Sequence, residues 1–328
     1  MFKPMIGVSY PGVAERHIAP IKAIAEKYGY DVKFGQDAWA AEPGKAVTED
    51  WYQGCEIIFG YPDPPLVAGF KDLKWLQSDA DGIEEQLKPG YLPEHVLFSN
   101  ATGAYGETIA EHVLTQLLIL YKHGMAYFEN QKSGRWHIEG RIKMIKGSVV
   151  TIVGFGDLGK NIATRIHALG AVVRGVKRTP AEKPNYLEAL YTITDIDKAL
   201  DGTDVVILSL PGIPSTENIF NRERIFSLKK GSYLINVARS NVWDQDAMCD
   251  ALRQGHLAGV STDVAHPEPL PPDSPLWTIP NLIVTPHSAG GLVSDINIDA
   301  AVKIFLDNLE AYATGTPMKN LVNRELRY

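Results

Sequence analysis

Three side chains with complementary chemistry each follow a short apolar run of the sequence: Arg239, Glu268 and His287. An imidazole can give a proton to a carbonyl oxygen, and a guanidinium can bind a carboxylate and the negative charge that develops on that oxygen. A carboxylate beside the imidazole would favour the imidazolium and fix the ring tautomer, so that proton donation weakens as the pH rises. Together these residue types predict acid/base chemistry on a small anionic carbonyl compound.

Each of these residues also has an ordinary structural interpretation. An arginine after a strand often forms a surface ion pair, and a single histidine often makes a structural hydrogen bond. His266 is a second candidate for the acid/base because it lies two residues from Glu268, although it falls in a proline-rich loop. The position of His287 at the end of an apolar run favours it over His266.

A glycine-rich loop indicates a dinucleotide site. Its residues follow the apolar run 148–153 and open a helical pattern: Gly154, Phe155, Gly156, Asp157, Leu158 and Gly159. The first glycine permits a tight turn, the second lets backbone N–H groups approach a pyrophosphate, and the third lets helix and strand pack closely. Because strand, loop, helix and a further strand come in this order, we expect a dinucleotide. A structural glycine turn, or another ligand such as S-adenosylmethionine, is the alternative.

The end of the next predicted strand indicates which dinucleotide binds. A site selective for NAD has an acidic residue about twenty positions after the loop, where it accepts hydrogen bonds from the ribose 2′-hydroxyl. This chain has Lys177, Arg178 and Thr179 there. Donors and positive charge suit a 2′-phosphate. We therefore predict NADP, with NAD also possible; the alternative is that Lys177 and Arg178 are solvated surface charges.

Parallel α/β units must position these residues, because short runs rich in Val and Ile alternate with helical patterns. Predicted strands cover residues 5–8, 57–59, 73–77, 149–153, 172–176, 205–210, 233–237, 257–261 and 282–285, and predicted helices cover 14–28, 107–122, 158–169, 244–254 and 293–313. The last helix has no strand after it and needs the first α/β unit to pack on. We therefore expect two doubly wound parallel-sheet domains with a cleft between them. A Rossmann dinucleotide-binding domain, 102–291, would be inserted into a flavodoxin-like substrate-binding domain formed by 1–101 and 292–328.

Composition limits the class of protein. The 328 residues suffice for about two domains, and 45% hydrophobic with 22% charged residues is typical of globular proteins and not of disordered, collagen-like or coiled-coil chains. A net charge of −7 without a long basic cluster disfavours nucleic-acid binding. Cys55 and Cys249 are far apart, which fits a reducing compartment and predicts no thiolate metal site. The sequence pattern predicts neither a secretory signal peptide nor an apolar segment long enough to span a bilayer. We therefore predict a cytoplasmic protein that binds no membrane and no metal.

Four segments resemble, in order and spacing, those of the D-isomer-specific 2-hydroxyacid dehydrogenases, the family that includes glyoxylate/hydroxypyruvate reductases. They are IKGSVVTIVGFGDLGKNIA, YLINVARSNVWDQDAM, GVSTDVAHPEPLPPDSPLW and LIVTPHSAG. The resemblance implies an enzyme that reduces a small 2-oxo acid to the D-2-hydroxy acid with NADPH. It implies that Arg239 binds substrate, Glu268 assists, His287 is the acid/base and Asp263 contacts the nicotinamide carboxamide. Further expected cofactor contacts are Pro211, Val237, Ala238 and Gly290.

Two other functions stay open at this point. One is oxidation of a D-2-hydroxy acid with NAD, and the other is a non-catalytic protein that senses the dinucleotide on the same fold. A sensor needs only the glycine loop, so the presence of Arg239, Glu268 and His287 together favours an enzyme.

The first part of the chain resembles the family more loosely. Residues 73–83 look like the segment whose backbone N–H groups hold the substrate carboxylate, a role that would fall to Gly82 and Ile83. Asp81 stands where the family usually has a small residue, so it is expected either to point away or to select a substrate with a donor group. Tyr61 and Tyr105 would lie near the substrate, with structural packing an equal alternative.

The resemblance also implies a homodimer. Trp136 stands where some relatives extend a tryptophan into the cleft of the partner subunit.

A smaller departure from the family's pattern is Ser240. It replaces the glycine that usually follows the family's arginine and leaves Arg239 in place.

Overall fold

The structure is a computed structural model and describes residues 3–35, 49–62, 70–291 and 294–326. The chain divides into two compact units, residues 1–105 with 292–328 and residues 106–291. The first boundary between the units therefore lies between residues 105 and 106, whereas the sequence pattern predicted it between residues 101 and 102. Each unit has its own parallel sheet, which confirms the predicted fold class.

The described elements, in chain order, are β1 (Met5–Val8), α1 (Glu15–Lys27), β2 (Asp31–Phe34), α2 (Glu49–Tyr52), β3 (Cys55–Phe59), β4 (Trp75–Gln77), β5 (Leu97–Ser99), α3 (Gly106–Tyr121), α4 (Gly124–Lys132), β6 (Val149–Val153), α5 (Asp157–Ala168), β7 (Val172–Lys177), β8 (Ala189–Thr192), α6 (Ile196–Leu200), β9 (Val205–Leu208), α7 (Arg222–Ser227), β10 (Ser232–Asn236), α8 (Gln245–Arg253), β11 (Leu257–Thr262), β12 (Leu282–Val284) and α9 (Asp295–Thr314). Short 3₁₀ turns lie at Ile193–Asp195, Ser240–Val242 and Pro275–Thr278. Within the described ranges, no helix is long and apolar enough to cross a membrane.

The first unit is built on a five-stranded sheet in the order β2-β1-β3-β4-β5, with every neighbouring pair parallel. This is the strand order of flavodoxin-like sheets. The final helix, α9, packs on this sheet through Phe305, whose ring stacks on Phe59 with centroids 4.4 Å apart and on Trp75 at 5.6 Å. Burial of these three rings gives the helix the partner that its apolar face requires.

The second unit is built on a seven-stranded parallel sheet in the order β12-β11-β10-β9-β6-β7-β8. Alternate residues of β9 and β10 belong to different apolar clusters: Val206, Leu208 and Leu234 to one, Val205, Ile207 and Ile235 to the other. Helices α7 and α8 contribute to the first cluster, and α3 and α5 contribute to the second. Both faces of the sheet are therefore covered, as in a Rossmann fold, and the strand order reverses between β6 and β9.

Candidate active site

The carboxyl edge of the second sheet collects the predicted site residues of this unit. Because all its strands are parallel, the loops that follow β6, β7, β9, β10, β11 and β12 leave the sheet at one edge. The glycine loop follows β6, Lys177 is the last residue of β7, and the remaining predicted cofactor residues follow the strands: Arg178, Thr179, Pro211, Val237, Ala238, Asp263 and Gly290. Arg239 and His287 follow β10 and β12. This edge next to the strand-order reversal is where open α/β sheets bind ligands.

The three glycines of the loop meet three different constraints. Gly154 has φ +107°, and a Cβ there would lie 2.5 Å from the carbonyl carbon and oxygen of Ser209. A Cβ on Gly159 would lie 2.3 Å from the carbonyl oxygen of Gly154, whereas a Cβ on Gly156 would meet nothing within 4 Å. Gly156 therefore faces open space directly before α5, whose N-terminal N–H groups favour an anion. The loop fits the pyrophosphate of a dinucleotide.

Two other residues of the loop have specific environments. The side chain of Phe155 is buried, and its backbone N–H donates to the carbonyl of Val176 at 2.8 Å. Phe155 therefore packs the loop onto the sheet, and both its ring and its N–H are used within the protein. Asp157 lies in the first turn of α5, and burial raises the pKa of its carboxyl while the charge of Lys160 lowers it.

The basic residues of β7 and of the turn after it have different environments. Arg174 donates to the Glu188 carboxylate and to the Asp201 carbonyl, both at 2.6 Å, so its charge is used inside the unit. Lys177 is half-buried at the last position of β7, and Arg178 and Thr179 are exposed immediately after it. The cationic end of β7 therefore lies at the same edge as the glycine loop.

His287 and Glu268 are in direct contact. Nδ1 of His287 lies 2.5 Å from Oε1 of Glu268, and the two side chains are 46% and 40% exposed. His287 has φ +51°, a conformation uncommon outside glycine. Its backbone N–H donates to the carbonyls of Asp263 at 2.9 Å and Thr285 at 3.0 Å, which hold this conformation. Uncommon backbone conformations of this kind concentrate at functional sites.

His266, the alternative candidate for the acid/base, makes hydrogen bonds through its backbone. The backbone N–H of His266 donates to the side-chain oxygen of Gln245, and the Gln245 amide donates back to the His266 carbonyl, both at 2.9 Å. These bonds tie the start of the proline-rich loop to α8. Of the two histidines, it is His287 whose ring contacts Glu268.

The carboxylate of Asp263 organises the loop that carries His287. Oδ1 accepts hydrogen bonds from the Thr285 hydroxyl at 2.6 Å and the Ser288 N–H at 2.9 Å, and Oδ2 accepts from the Ala289 N–H at 2.9 Å. Asp263 is buried. Thr285 and Ser288 were not predicted, because no spacing rule links a hydroxyl after one strand to a carboxylate after its neighbour.

Arg239 is the third residue after β10 and is half-buried. Its guanidinium donates to the carbonyl of Ala238 at 2.7 Å. The loop after β9 packs closely against it: a Cβ on Gly212 would lie 2.8 Å from Cβ and Cγ of Arg239 and 2.5 Å from Oδ1 of Asn241. The absence of a side chain at Gly212 therefore leaves room for Arg239, and this contact was not predicted from the sequence.

A cavity of about 460 Å³ adjoins the contact between His287 and Glu268. Polar and apolar side chains line it: Asp263, Ala265, Glu268, Pro269, Leu270, Trp277, Val284, Thr285, Pro286 and His287. The cavity can hold a small organic molecule next to the imidazole. Among the described residues, no group of three His, Cys, Asp or Glu side chains could hold a metal ion.

The predicted carboxylate-binding segment follows β4 in the first unit. Within the described ranges, the backbone N–H groups of Gly82 and Ile83 make no hydrogen bond inside the protein. Unpaired N–H groups of this kind are available to an anion. The exposed carboxylate of Asp81 accepts a hydrogen bond from the Thr102 hydroxyl, and its carbonyl accepts one from the Asn100 side chain at 2.9 Å. Thr102 thus holds the Asp81 side chain.

The two tyrosines expected near the substrate lie in different environments. Tyr105 is buried, and its hydroxyl donates to the backbone carbonyl of Asp79, which matches the packing alternative. Tyr61 is 38% exposed, and burial of the rest of its ring raises the pKa of its hydroxyl to about 12. Asp79 itself is a buried carboxyl that the sequence analysis did not single out.

Large apolar side chains are exposed in the segment between α4 and β6. Trp136 is fully exposed, and Ile138, Ile142 and Met144 are exposed after it. A second cavity, of about 630 Å³, lies here and is lined by Trp136 and Ile138 together with α4 residues such as Tyr127. Several large exposed apolar side chains within one segment are typical of a surface that binds another protein.

Comparisons with known proteins identify the family. Residues 114–289 match the model of a family described as D-isomer specific 2-hydroxyacid dehydrogenase, NAD binding domain. The chain is 31% identical over 265 residues to glyoxylate/hydroxypyruvate reductase A of Photorhabdus laumondii. This alignment covers 80% of this chain and 82% of the relative.

Two solved structures resemble the chain over almost its whole length. A D-isomer specific 2-hydroxyacid dehydrogenase from Xanthobacter autotrophicus, in complex with NADPH and MES, has a TM-score of 0.82 at 28% identity and covers 100% of both chains. An NADPH-dependent glyoxylate/hydroxypyruvate reductase from Sinorhizobium meliloti, in complex with NADP and sulfate, has a TM-score of 0.82 at 25% identity and covers 99% of this chain and 100% of its own.

Proposed function

Because the chain belongs to the D-isomer-specific 2-hydroxyacid dehydrogenase family, we propose that it reduces a small 2-oxo acid to the D-2-hydroxy acid with NADPH. The observation that carries this proposal is the 2.5 Å contact between His287 and Glu268 at the sheet edge that also bears the glycine loop. Carbonyl reduction needs an acid/base pair beside a dinucleotide, and a dinucleotide sensor does not.

His287 delivers the proton in this proposal. When bound, NADPH supplies the hydride that reduces the carbonyl carbon. The carbonyl oxygen then needs one proton, and His287 gives it from Nε2 because Nδ1 faces Glu268. Glu268 orients the ring and fixes its tautomer.

Arg239 binds the anionic substrate. Its guanidinium makes charge-assisted hydrogen bonds to the carboxylate and the polarised carbonyl, each worth about 1.5–3 kcal/mol. We further propose that the free N–H groups of Gly82 and Ile83 bind the substrate carboxylate, with Asp81, Tyr61 and Tyr105 as neighbours of the substrate.

The cofactor residues proposed here are the glycine loop, the basic end of β7 and the loops after β9 to β12. Lys177, Arg178 and Thr179 bind the 2′-phosphate, and Asp263 contacts the carboxamide of the nicotinamide. Two observations support NADPH over NADH. The sequence has no acidic residue between 174 and 179, and both solved relatives named above are complexes with NADPH or NADP.

The exposed apolar segment that begins at Trp136 supports a homodimer. Its apolar side chains would be buried by a second copy of the chain. Size-exclusion chromatography with light scattering should give twice the 36.1 kDa mass of the chain, and Trp136→Glu should shift the protein toward the monomer. A monomeric wild-type protein at micromolar concentration would exclude this assembly.

The experiment that tests the function is a kinetic screen. Five 2-oxo acids are each assayed with NADPH and with NADH: glyoxylate, hydroxypyruvate, pyruvate, phenylpyruvate and a branched 2-oxo acid. The matching D-2-hydroxy acids are assayed with NADP and with NAD. We expect reduction with NADPH, and we expect His287→Ala to lower kcat by about 10²–10⁴ while the Kd for NADPH stays unchanged. Binding of NADPH without turnover of any oxo acid indicates a sensor instead, and a higher kcat/KM with NAD and a hydroxy acid indicates an oxidative enzyme.

A further inference from the structure

A histidine without a role in the proposed chemistry lies behind the loop that carries His287. It is His112, half-buried on α3. Its Nε2 lies 3.3 Å from Oγ1 of Thr285, and Oγ1 of Thr285 lies 2.6 Å from Oδ1 of Asp263. A chain of hydrogen bonds therefore runs from α3 to the carboxylate that organises the acid/base loop.

The direction of these hydrogen bonds follows from the groups involved. The Asp263 carboxylate only accepts, so the Thr285 hydroxyl donates its single hydrogen to it. The Thr285 oxygen must then accept from His112, which requires a hydrogen on Nε2 of the imidazole. Burial lowers the pKa of His112, against the opposing effect of the Asp263 charge. Burial thus favours a neutral ring, and the hydrogen bond to Thr285 places its single hydrogen on Nε2.

Gln116, one turn further along α3, lies beside the same ring nitrogen. Its side-chain nitrogen lies 3.5 Å from Nε2 of His112, and its side-chain oxygen is buried without a partner among the described residues. The two ends of an amide have nearly the same shape, and their assignment follows from the hydrogen bonds. With the amide turned over, its oxygen accepts the hydrogen on Nε2, which is the orientation that the tautomer set by Asp263 and Thr285 requires.

We propose that His112 is a positioning residue for the acid/base: it fixes the Thr285 hydroxyl toward Asp263, and Asp263 fixes the loop that carries His287. The last link is direct, because Asp263 accepts from the N–H groups of Ser288 and Ala289 through its carboxylate and from the N–H of His287 through its carbonyl. This proposal rests on the proposed role of His287.

Two pairs of variants test it. His112→Leu removes the donor and keeps the bulk, whereas His112→Gln returns an N–H near the position of Nε2. Thr285→Val removes the hydroxyl, and Thr285→Ser keeps it. We expect the Leu and Val variants to lower kcat about tenfold with KM values for substrate and NADPH within about twofold of wild type, and we expect Gln and Ser to restore most of the activity. His167→Leu, an exposed histidine on α5, is the matched control and should leave kcat unchanged.

The double variant and a measurement without turnover complete the test. Because His112 and Thr285 act in one chain, His112→Leu with Thr285→Val should cost no more than either change alone. Hydrogen exchange of the amides at Ser288 and Ala289 should be faster in His112→Leu and normal in His112→Gln, and this readout stands even if no oxo acid is reduced. Wild-type kcat and exchange in His112→Leu, additive losses in the double variant, or a loss that Gln does not restore would each overturn the proposal.

Discussion

Nδ1 of His287 and Oε1 of Glu268 lie 2.5 Å apart, although both side chains remain partly exposed. The contact engages one ring nitrogen and leaves Nε2 to face a reacting group. It also brings together two residues that follow different strands, since Glu268 lies in the loop after β11 and His287 after β12. The pairing depends on the parallel neighbours β11 and β12, whose carboxyl ends lie side by side.

The first prediction concerns the charge of Glu268. Glu268→Gln keeps the size of the side chain and removes the negative charge that faces Nδ1 of His287. The kcat for 2-oxo acid reduction should fall about 10- to 100-fold, and the KM for NADPH should not change. Steady-state kinetics measures both. Glu223→Gln on the exposed side of α7 is the control, and wild-type turnover in Glu268→Gln would remove the carboxylate from the mechanism.

The second prediction concerns cofactor selectivity. Replacing Lys177 and Arg178 together by Ala removes the cationic end of β7, so the ratio of kcat/KM for NADPH to that for NADH should fall about 10- to 100-fold. Arg174→Ala is the matched control, because that guanidinium is bound to Glu188 and Asp201, and it should leave the ratio unchanged. If the double variant kept the wild-type ratio, the two cations would be surface charges only.

The third prediction separates two glycines of the loop. A Cβ on Gly156 meets open space, so Gly156→Ala should fold normally and raise the Kd for NADPH about tenfold by occupying the place of the pyrophosphate. A Cβ on Gly159 meets the Gly154 carbonyl oxygen at 2.3 Å, so Gly159→Ala should lower the free energy of unfolding by about 1–3 kcal/mol. Thermal unfolding and fluorescence titration with NADPH distinguish the two. Normal NADPH affinity in Gly156→Ala would contradict the assigned binding mode.

Local sequence pattern was sufficient where a single run or loop determines the structure. The apolar run of β6, the glycine loop and the start of α5 follow one another without a gap, and the structure has them as predicted. Strands β2, β5 and β8 were not predicted, because they are short and none of them contains a run rich in Val and Ile.

Contacts between loops were beyond the reach of the sequence. Gly212 against Arg239 and Thr285 against Asp263 join residues that are distant in the chain and meet only because their strands are neighbours in the sheet. The left-handed conformation of His287 is of the same kind, since it depends on the carbonyl of Asp263. A residue type at a strand end predicts which chemistry is present, but the folded sheet decides which partners meet.

The last prediction concerns Asp79, a buried carboxyl of the first unit whose Oδ1 has no hydrogen-bond partner among the described residues. Burial raises its pKa from 3.8 to about 7. Between pH 3.8 and about 7, the Asp79 carboxyl is therefore protonated in the folded state and ionised in the unfolded state. Asp79 is consequently most favourable to folding at low pH. Its contribution to the free energy of unfolding decreases as the pH rises toward 7 and is constant above that.

Asp79→Asn removes the titration and keeps the shape, so the variant should gain stability over wild type as the pH rises from 4 to 7. The gain should reach at most ~4 kcal/mol in the first unit and should be near zero at pH 4. Hydrogen exchange of the β4 amides, measured at pH 4 and pH 8 after correction for the intrinsic pH dependence of exchange, reports this unit directly. Asp81→Asn, whose carboxylate is exposed, is the control for a general loss of negative charge. An equal effect of the two variants, or a gain at pH 4 as large as that at pH 8, would show that burial of the Asp79 charge does not limit the stability of this unit.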